Sequence, residues 1–377
     1  MHPQLPAKQP RKFYLDVARV VAIISISLNH AVNRSYANYS GQMEEFYSIS
    51  LASTLFKTVC AVFSRMGVPL FLMITGVLIL NKKIENQSDI KKFYKHNLLS
   101  LFITTEIWYA LMYWFIVLFK SANTILETEG FFGAILGMLE TMLFQNQLTF
   151  GSMWYMPLIL CLYATLPFVV IVKDKLSGER LSPILFLPAI ILFVTNMILP
   201  ALNSFLYMLG VDGFSSEISG SYLFSEYYLY IIIGYLVGQG VLNRFRTRTV
   251  ALVTGLTFVI CCAYQFYAYA QPLNYQVAYD FPLMPFCVGF LFEFIRRTAK
   301  YLRKCRKPIT YLSRISFGIY FMHIVIMTIL VSLTKDIFIA QPLRLLFYEI
   351  VSVGGSIALI IPLSKIPFCK KYLFLIK

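Results

Sequence analysis

The chain has 377 residues, of which 58% are hydrophobic, 16% aromatic and only 14% charged, with a formal net charge of +15. That composition excludes an ordinary soluble domain. The basic residues stand between apolar runs, so the charge reports membrane topology and gives no support to a nucleic-acid partner.

Apolar stretches of about 20 residues recur along the whole length, each long enough to cross a hydrocarbon core of roughly 30 Å, and the alternating pattern of barrel strands is absent. The expected fold is therefore all-α, a polytopic integral membrane bundle of about ten helices. The spans fall near residues 14–32, 57–80, 98–119, 154–172, 183–202, 222–243, 250–270, 280–295, 310–333 and 344–363. Most of the 33 basic residues then lie on one side, densest in the stretch 296–307, which predicts both termini in the cytoplasm. The chain reads as one integral domain, 1–377, with short cytoplasmic tails at 1–13 and 364–377. The first apolar run is too long for a signal peptide and is expected to stay as an anchor.

Span one carries the most informative pattern. In "LDVARVVAIISISLNH", Asp16 and Arg19 open the apolar run and His30 closes it. Eleven residues separate Arg19 from His30, three turns plus about 20°, so both leave one helix face about 16 Å apart along the axis. Charged groups inside a span cost on the order of 2.5–3.5 kcal/mol, which makes them functional candidates. Asp16 can pair with Arg19 at i+3. A purely interfacial ion pair with a snorkelling histidine is the competing reading. The expectation tested below is that Arg19 and His30 face one shared polar cavity.

In span two Arg65 precedes "MGVPLFLMITGVLIL", where Gly67, Pro69 and Gly76 loosen the helix or allow close packing. Lys82 and Lys83 follow it. Glu106 sits about 12 Å into span three; a structural partnership with Arg65 or Arg19 is its plainer explanation. The segment 131–144 is apolar but short and holds Glu140, so it reads as a re-entrant or interfacial helix; counting it as a span would invert every later loop. Gly234 and Gly238 form a small-xxx-small pair for helix packing. His323 lies deep in span nine, in the same outer half as His30, where an interhelical hydrogen bond is the plainer role.

Seven cysteines show no CxxC spacing and the four histidines show no ligand spacing, so packing is expected of the former and no metal site of either. GxSxG, P-loop and HExxH motifs are absent, leaving serine hydrolysis, ATP-driven transport and zinc hydrolysis without a vehicle.

Four elements in order resemble the family 3 membrane acyltransferases, bacterial integral membrane proteins that O-acylate envelope sugars. They are "RVVAIISISLNH" with Arg19 and His30; "VPLFLMITGVLIL", with Thr75 where the family commonly has Ser; "MWYMPLILCLYATLP", through Trp154, Tyr155, Leu158, Tyr163 and Pro167; and "ISFGIYFMH", through Ser316, Gly318, Tyr320 and His323. Where many members carry arginines after the second helix, this chain has lysines, which serve as point charges rather than bidentate forks. The resemblance implies an O-acetyltransferase of the bacterial inner membrane, with acetyl-CoA as co-substrate and an envelope glycan or lipid-linked sugar as acceptor. His30 would be the general base or a transient acyl carrier, with Asp16 and Glu106 orienting or balancing. Arg19, Arg65, Lys82 and Lys83 would hold the donor, and Trp154, Tyr155 and His323 the acceptor, with His323 or Arg65 at the developing oxyanion. A transporter or flippase for a lipid-linked sugar is the alternative, with Arg19, Arg65 and Glu106 along a pathway and His30 coupling protons.

Overall fold

The computed structural model describes residues 12–36, 42–120, 128–144, 153–176, 189–191, 193–211, 226–271 and 275–376. Parts of the expected tail and spans at 1–11, 183–188 and 222–225 lie outside them. Among the described residues the regular structure is entirely helical. Fourteen α-helices are used below: α1 Phe13–Ser35, α2 Gln42–Ser48, α3 Leu51–Ser64, α4 Gly67–Ile79, α5 Gln87–Phe93, α6 Leu99–Phe115, α7 Gly130–Met142, α8 Tyr155–Leu176, α9 Leu199–Met208, α10 Glu226–Gly238, α11 Thr247–Ala270, α12 Met284–Thr298, α13 Arg306–Leu333 and α14 Gln341–Leu363.

Among the described residues, eight helical runs are long and apolar enough to cross a membrane. One of them, Met284–Leu333, holds two of the expected spans joined by a short 3-10 helix, Ala299–Cys305, and α10 supplies a shorter apolar helix where another was expected. The polytopic helical class is thus the observed one. Helices satisfy their own backbone polar groups, which hydrocarbon cannot do for them. The segment expected to be re-entrant is α7, whose 13 residues rise only about 20 Å.

Helix α1 is the hub, packing against α4, α13, α14 and α3, while α4 is also clasped by α10. Small residues set these approaches. A Cβ on Gly67 would lie 2.7 Å from the Ala22 carbonyl oxygen, and Cβ atoms on Gly76 and Gly234 would run into the backbones of Ile231 and Met73. Lipid tails give no hydrophobic drive to helix association, so this close van der Waals contact carries much of it.

Ion clusters tie off both ends. At the end bearing the segment 296–307, here the basic end, Glu293 is fully buried and accepts from Arg296 Nε at 2.7 Å and Arg297 Nε at 2.5 Å. Arg297 also donates to the carbonyls of Leu242 and Phe245, fixing the turn before α11. At the opposite end Lys57 donates to Glu45 at 2.6 Å and stands over the Tyr269 ring.

The expected C-terminal tail is not free. Trp108 Nε1 donates to the Leu373 carbonyl at 2.9 Å, its ring stacks on Phe321 at 4.6 Å, and Phe374 is fully buried. Apolar Phe374, Leu375 and Ile376 bring this segment back into the core.

Gly234→Ala therefore has to push α10 away from Met73. We expect an overpacking cost of about 1–3 kcal/mol, larger than the helix-propensity gain of up to about 1 kcal/mol, and a lower thermal midpoint for the detergent-solubilised protein; an unchanged midpoint would show that the α4–α10 contact is not tight.

Candidate active site

Asp16, in the first turn of α1, is almost fully buried at 1% exposure. Its carboxylate accepts from Ser313 Oγ at 2.8 Å and Thr310 Oγ1 at 3.2 Å, both on α13, and stands 3.6 Å from Arg19 Nη1. One buried carboxylate thus fastens α1 to α13 and holds the guanidinium one turn on. A carboxylate in apolar surroundings needs such donors, and each charge-assisted bond is stronger than a neutral one.

Arg19 lines a cavity of about 380 Å³ at the basic half of the bundle. Its polar lining includes Thr75, His96, Asn97, Ser313 and Arg314; Phe374 and Leu375 of the returning C-terminal segment close one side. Size and mixed lining match a ligand site.

His30 does not open directly into this cavity. It lines a separate pocket of about 20 Å³, room for roughly one water, with Asn29, Val68, Trp154, Tyr155, Tyr279 and Tyr320. The two spaces share three residues, Ile26, Tyr155 and Tyr320. The expected single cavity is thus two chambers with a common wall. Its physical cause is local: Ile26 lies on α1 between Arg19 and His30, and the rings of Tyr155 and Tyr320 meet it with centroids 6.0 Å apart.

His30 and His323 face each other across α1 and α13, ring centroids 5.4 Å apart and planes at 45°. His323 is fully buried. Its Nδ1 lies 2.7 Å from the Ile319 carbonyl, which assigns the proton to Nδ1 and leaves the lone pair on Nε2. Nε2 has no hydrogen-bond partner among the described residues. Buried polar atoms are normally satisfied, so a lone pair held open beside His30 marks a place for a hydroxyl donor or for His30 itself.

Beyond His30, Trp154 lies 5.6 Å from Tyr227 and 5.8 Å from Tyr279, ring to ring. Tyr279 is held there because Tyr230 OH donates to its carbonyl at 2.6 Å and Gln265 Oε1 accepts from Val277 N at 2.9 Å. The Arg65 guanidinium stands 5.9 Å from the Tyr279 ring centroid, and Asn29 and Arg65 share a second small polar pocket with Lys57 and Gln276. Nearby, burial raises the Asp280 carboxyl above the usual aspartate range while Arg65 draws it down.

The structure therefore brings Asp16, Arg19, His30, Tyr155, Trp154 and His323 into and around two adjoining chambers, and sets four candidates apart. Arg65 belongs to the His30 side rather than with Arg19. Lys82 lies over the Phe93 ring at 4.9 Å, and neither it nor Lys83 lines the cavity. Glu106 lines no chamber, pairs with neither Arg19 nor Arg65, and leaves Oε1 buried without a partner. Tyr227, Thr310 and Ser313 escaped the sequence reading, as did Glu349 and Tyr279. Glu349 on α14 accepts from Ser27 Oγ at 2.5 Å, one turn before His30, and the signal available was a carboxylate inside an apolar span. Tyr279 sits in a loop, where no periodicity points inward.

No group of three or more metal-ligating side chains stands together among the described residues. In comparison with known proteins, a family model described as an acyltransferase domain matches residues 12–361, nearly the whole chain. No curated protein and no solved structure matches it.

Asp16→Ala should cost about 3 kcal/mol, since Ser313, Thr310 and Arg19 all lose their acceptor, and should lower the thermal midpoint; Asp16→Asn, still able to accept from Ser313, should recover part of it. Equal midpoints for Asp16→Ala and the unaltered chain would remove the clamp from the account.

Proposed function

The chain belongs to acyltransferase family 3, and we propose that this membrane acyltransferase moves an acetyl group from cytoplasmic acetyl-CoA to a hydroxyl of a cell-envelope glycan or lipid-linked sugar, in the bacterial inner membrane. The observation that carries the reading is the line Arg19, Ile26, His30 along α1: a cavity large enough for a thioester arm on one side, and a histidine pair under an aromatic platform on the other.

The basic end faces the cytoplasm, where the positive-inside rule puts it and where an anionic donor is found. Arg19, steadied by Asp16, meets the donor inside the cavity. The acceptor lies against Trp154, Tyr227 and Tyr279, whose faces suit the apolar side of a sugar ring, with Arg65 and Asn29 supplying polar contacts.

The chemistry balances without a metal or an external oxidant. His30 takes the proton of the acceptor hydroxyl, the oxygen attacks the thioester carbonyl, a C–O bond forms as the C–S bond breaks, and the thiolate leaves as the free thiol with the proton that His30 returns. The lone pair of His323 Nε2 orients the His30 N–H or the attacking hydroxyl. The wall of Ile26, Tyr155 and Tyr320 must part for the acyl carbonyl to reach His30, and between turnovers it keeps water from the thioester.

In isolated membranes with labelled acetyl-CoA and envelope glycans, His30→Gln should lower label transfer at least about 100-fold with normal membrane insertion. Arg19→Ala should raise the apparent KM for the donor about tenfold, the value of one charge-assisted contact. Transfer that survives both substitutions rejects the assignment.

A further inference from the structure

Outside the cavity, at the basic end, a second groove of about 600 Å³ is lined by Arg306, Lys307, Pro308, Thr310, Tyr311 and Arg314. Three of the six are cations, and the lining holds no carboxylate. Asp16 reaches the lining through Thr310, from which it accepts, and is already engaged by Ser313 and Arg19. Arg306 is partly anchored, its guanidinium 5.7 Å from the Phe13 ring. Arg314 lines both this groove and the Arg19 cavity, so the two spaces adjoin at one side chain.

Resting on the acyl-CoA reading above, we propose that this groove binds the nucleotide headgroup of the donor: Arg306, Lys307 and Arg314 take its phosphates, and Tyr311 stacks on its adenine. Lys82 and Lys83 then have no direct part in holding the donor.

Length supports the placement. Nine residues of α13 separate Arg314 from His323, about 13.5 Å along the axis. The pantetheine arm places eleven atoms between its phosphate ester oxygen and its sulfur, the backbone of about four residues, and so extends roughly 14 Å. Phosphates at Arg314 therefore put the thioester at the depth of the histidine pair, after passing Ser316 and Tyr320, which line the same cavity. Arg306 and Lys307, two turns nearer the helix start, lie where the remaining phosphate of the headgroup would project. Guanidinium groups are suited to this, since each offers a planar fork to phosphate oxygens. Tyr311 is exposed, its ring available as a stacking face.

The same phosphate chemistry is offered by anionic lipid headgroups, so the test separates the two sources. CoA, adenosine 3′,5′-bisphosphate (the headgroup without the arm) and pantetheine (the arm without the headgroup) are titrated into the full-length protein in neutral detergent. The double variant Arg306→Ala/Lys307→Ala is compared with Arg246→Ala/Arg248→Ala, which removes two exposed charges elsewhere on the same end. Thermal melts confirm that both variants fold. The expected result is CoA and bisphosphate binding weakened about tenfold or more in the first variant, with pantetheine binding changed less than about twofold and the second variant like the unaltered chain. CoA affinity unchanged in the first variant overturns the inference and leaves the donor reading intact. No CoA binding by the unaltered chain overturns both. Binding that weakens equally in both variants, or bisphosphate that phosphatidylglycerol displaces while CoA stays bound, assigns the groove to general surface charge or to lipid and overturns the inference.

Discussion

A carboxylate buried at the start of α1 is the interaction on which the rest of the site depends. Asp16 is costly to keep in apolar surroundings, and what makes it tolerable is a set of donors drawn from two helices: Ser313 and Thr310 of α13, and Arg19 one turn along α1. Because α1 and α13 run in the same direction from that clamp, what they carry further along is brought together as well. Arg19 and Arg314 end in one cavity, Ile26 and Tyr320 in one wall, His30 and His323 in one pair. Slip either helix by one turn, about 5.4 Å, and the histidines no longer meet. Close packing at Gly67, Gly76 and Gly234 fixes the sideways position of α4 and α10 in the same way.

How much of this could be read from the sequence follows the physics of each signal. Hydrocarbon thickness and the cost of bare backbone polar groups act on every span alike, so the spans, the helical class and the short α7 were all legible. Helical periodicity placed Arg19 and His30 on one face, and the structure keeps them in line. It could not foresee Ile26 between them, because a wall is made where three helices converge and periodicity describes one helix at a time. Glu106 misled for the same reason: depth in a span was readable, rotation about its axis was not, and the side chain lines neither chamber. Tyr279 and the returning C-terminal segment are held by hydrogen bonds from Tyr230 to the Tyr279 carbonyl and from Trp108 to the Leu373 carbonyl, across long sequence separations that no local pattern encodes.

Two chambers on either side of a thin barrier are also what a transporter needs, so the division of the cavity does not by itself select chemistry. The histidine pair does more. A pathway that only passes a substrate gains little from His323 holding its Nδ1 proton toward Ile319 while its ring stands beside His30. A base that must remove a proton from a hydroxyl gains its orientation from such a partner. Family membership, which covers residues 12–361, points the same way.

With the thioester donor proposed above, the wall answers the reaction's central hazard. A thioester carried to a base beside an aqueous face is exposed to water as a competing nucleophile, and a small chamber with room for about one molecule leaves little space for it. Ile26 supplies bulk without polarity, and Tyr155 and Tyr320 complete the wall with uncharged rings. Were the barrier thicker, an arm of roughly 14 Å anchored by its phosphates near Arg314 would stop short of the histidines. Were it absent, the cavity around Arg19 would open toward the acceptor side and admit water to the donor. One layer of side chains is the thickness that meets both demands, and both follow from where Asp16 fastens the two helices.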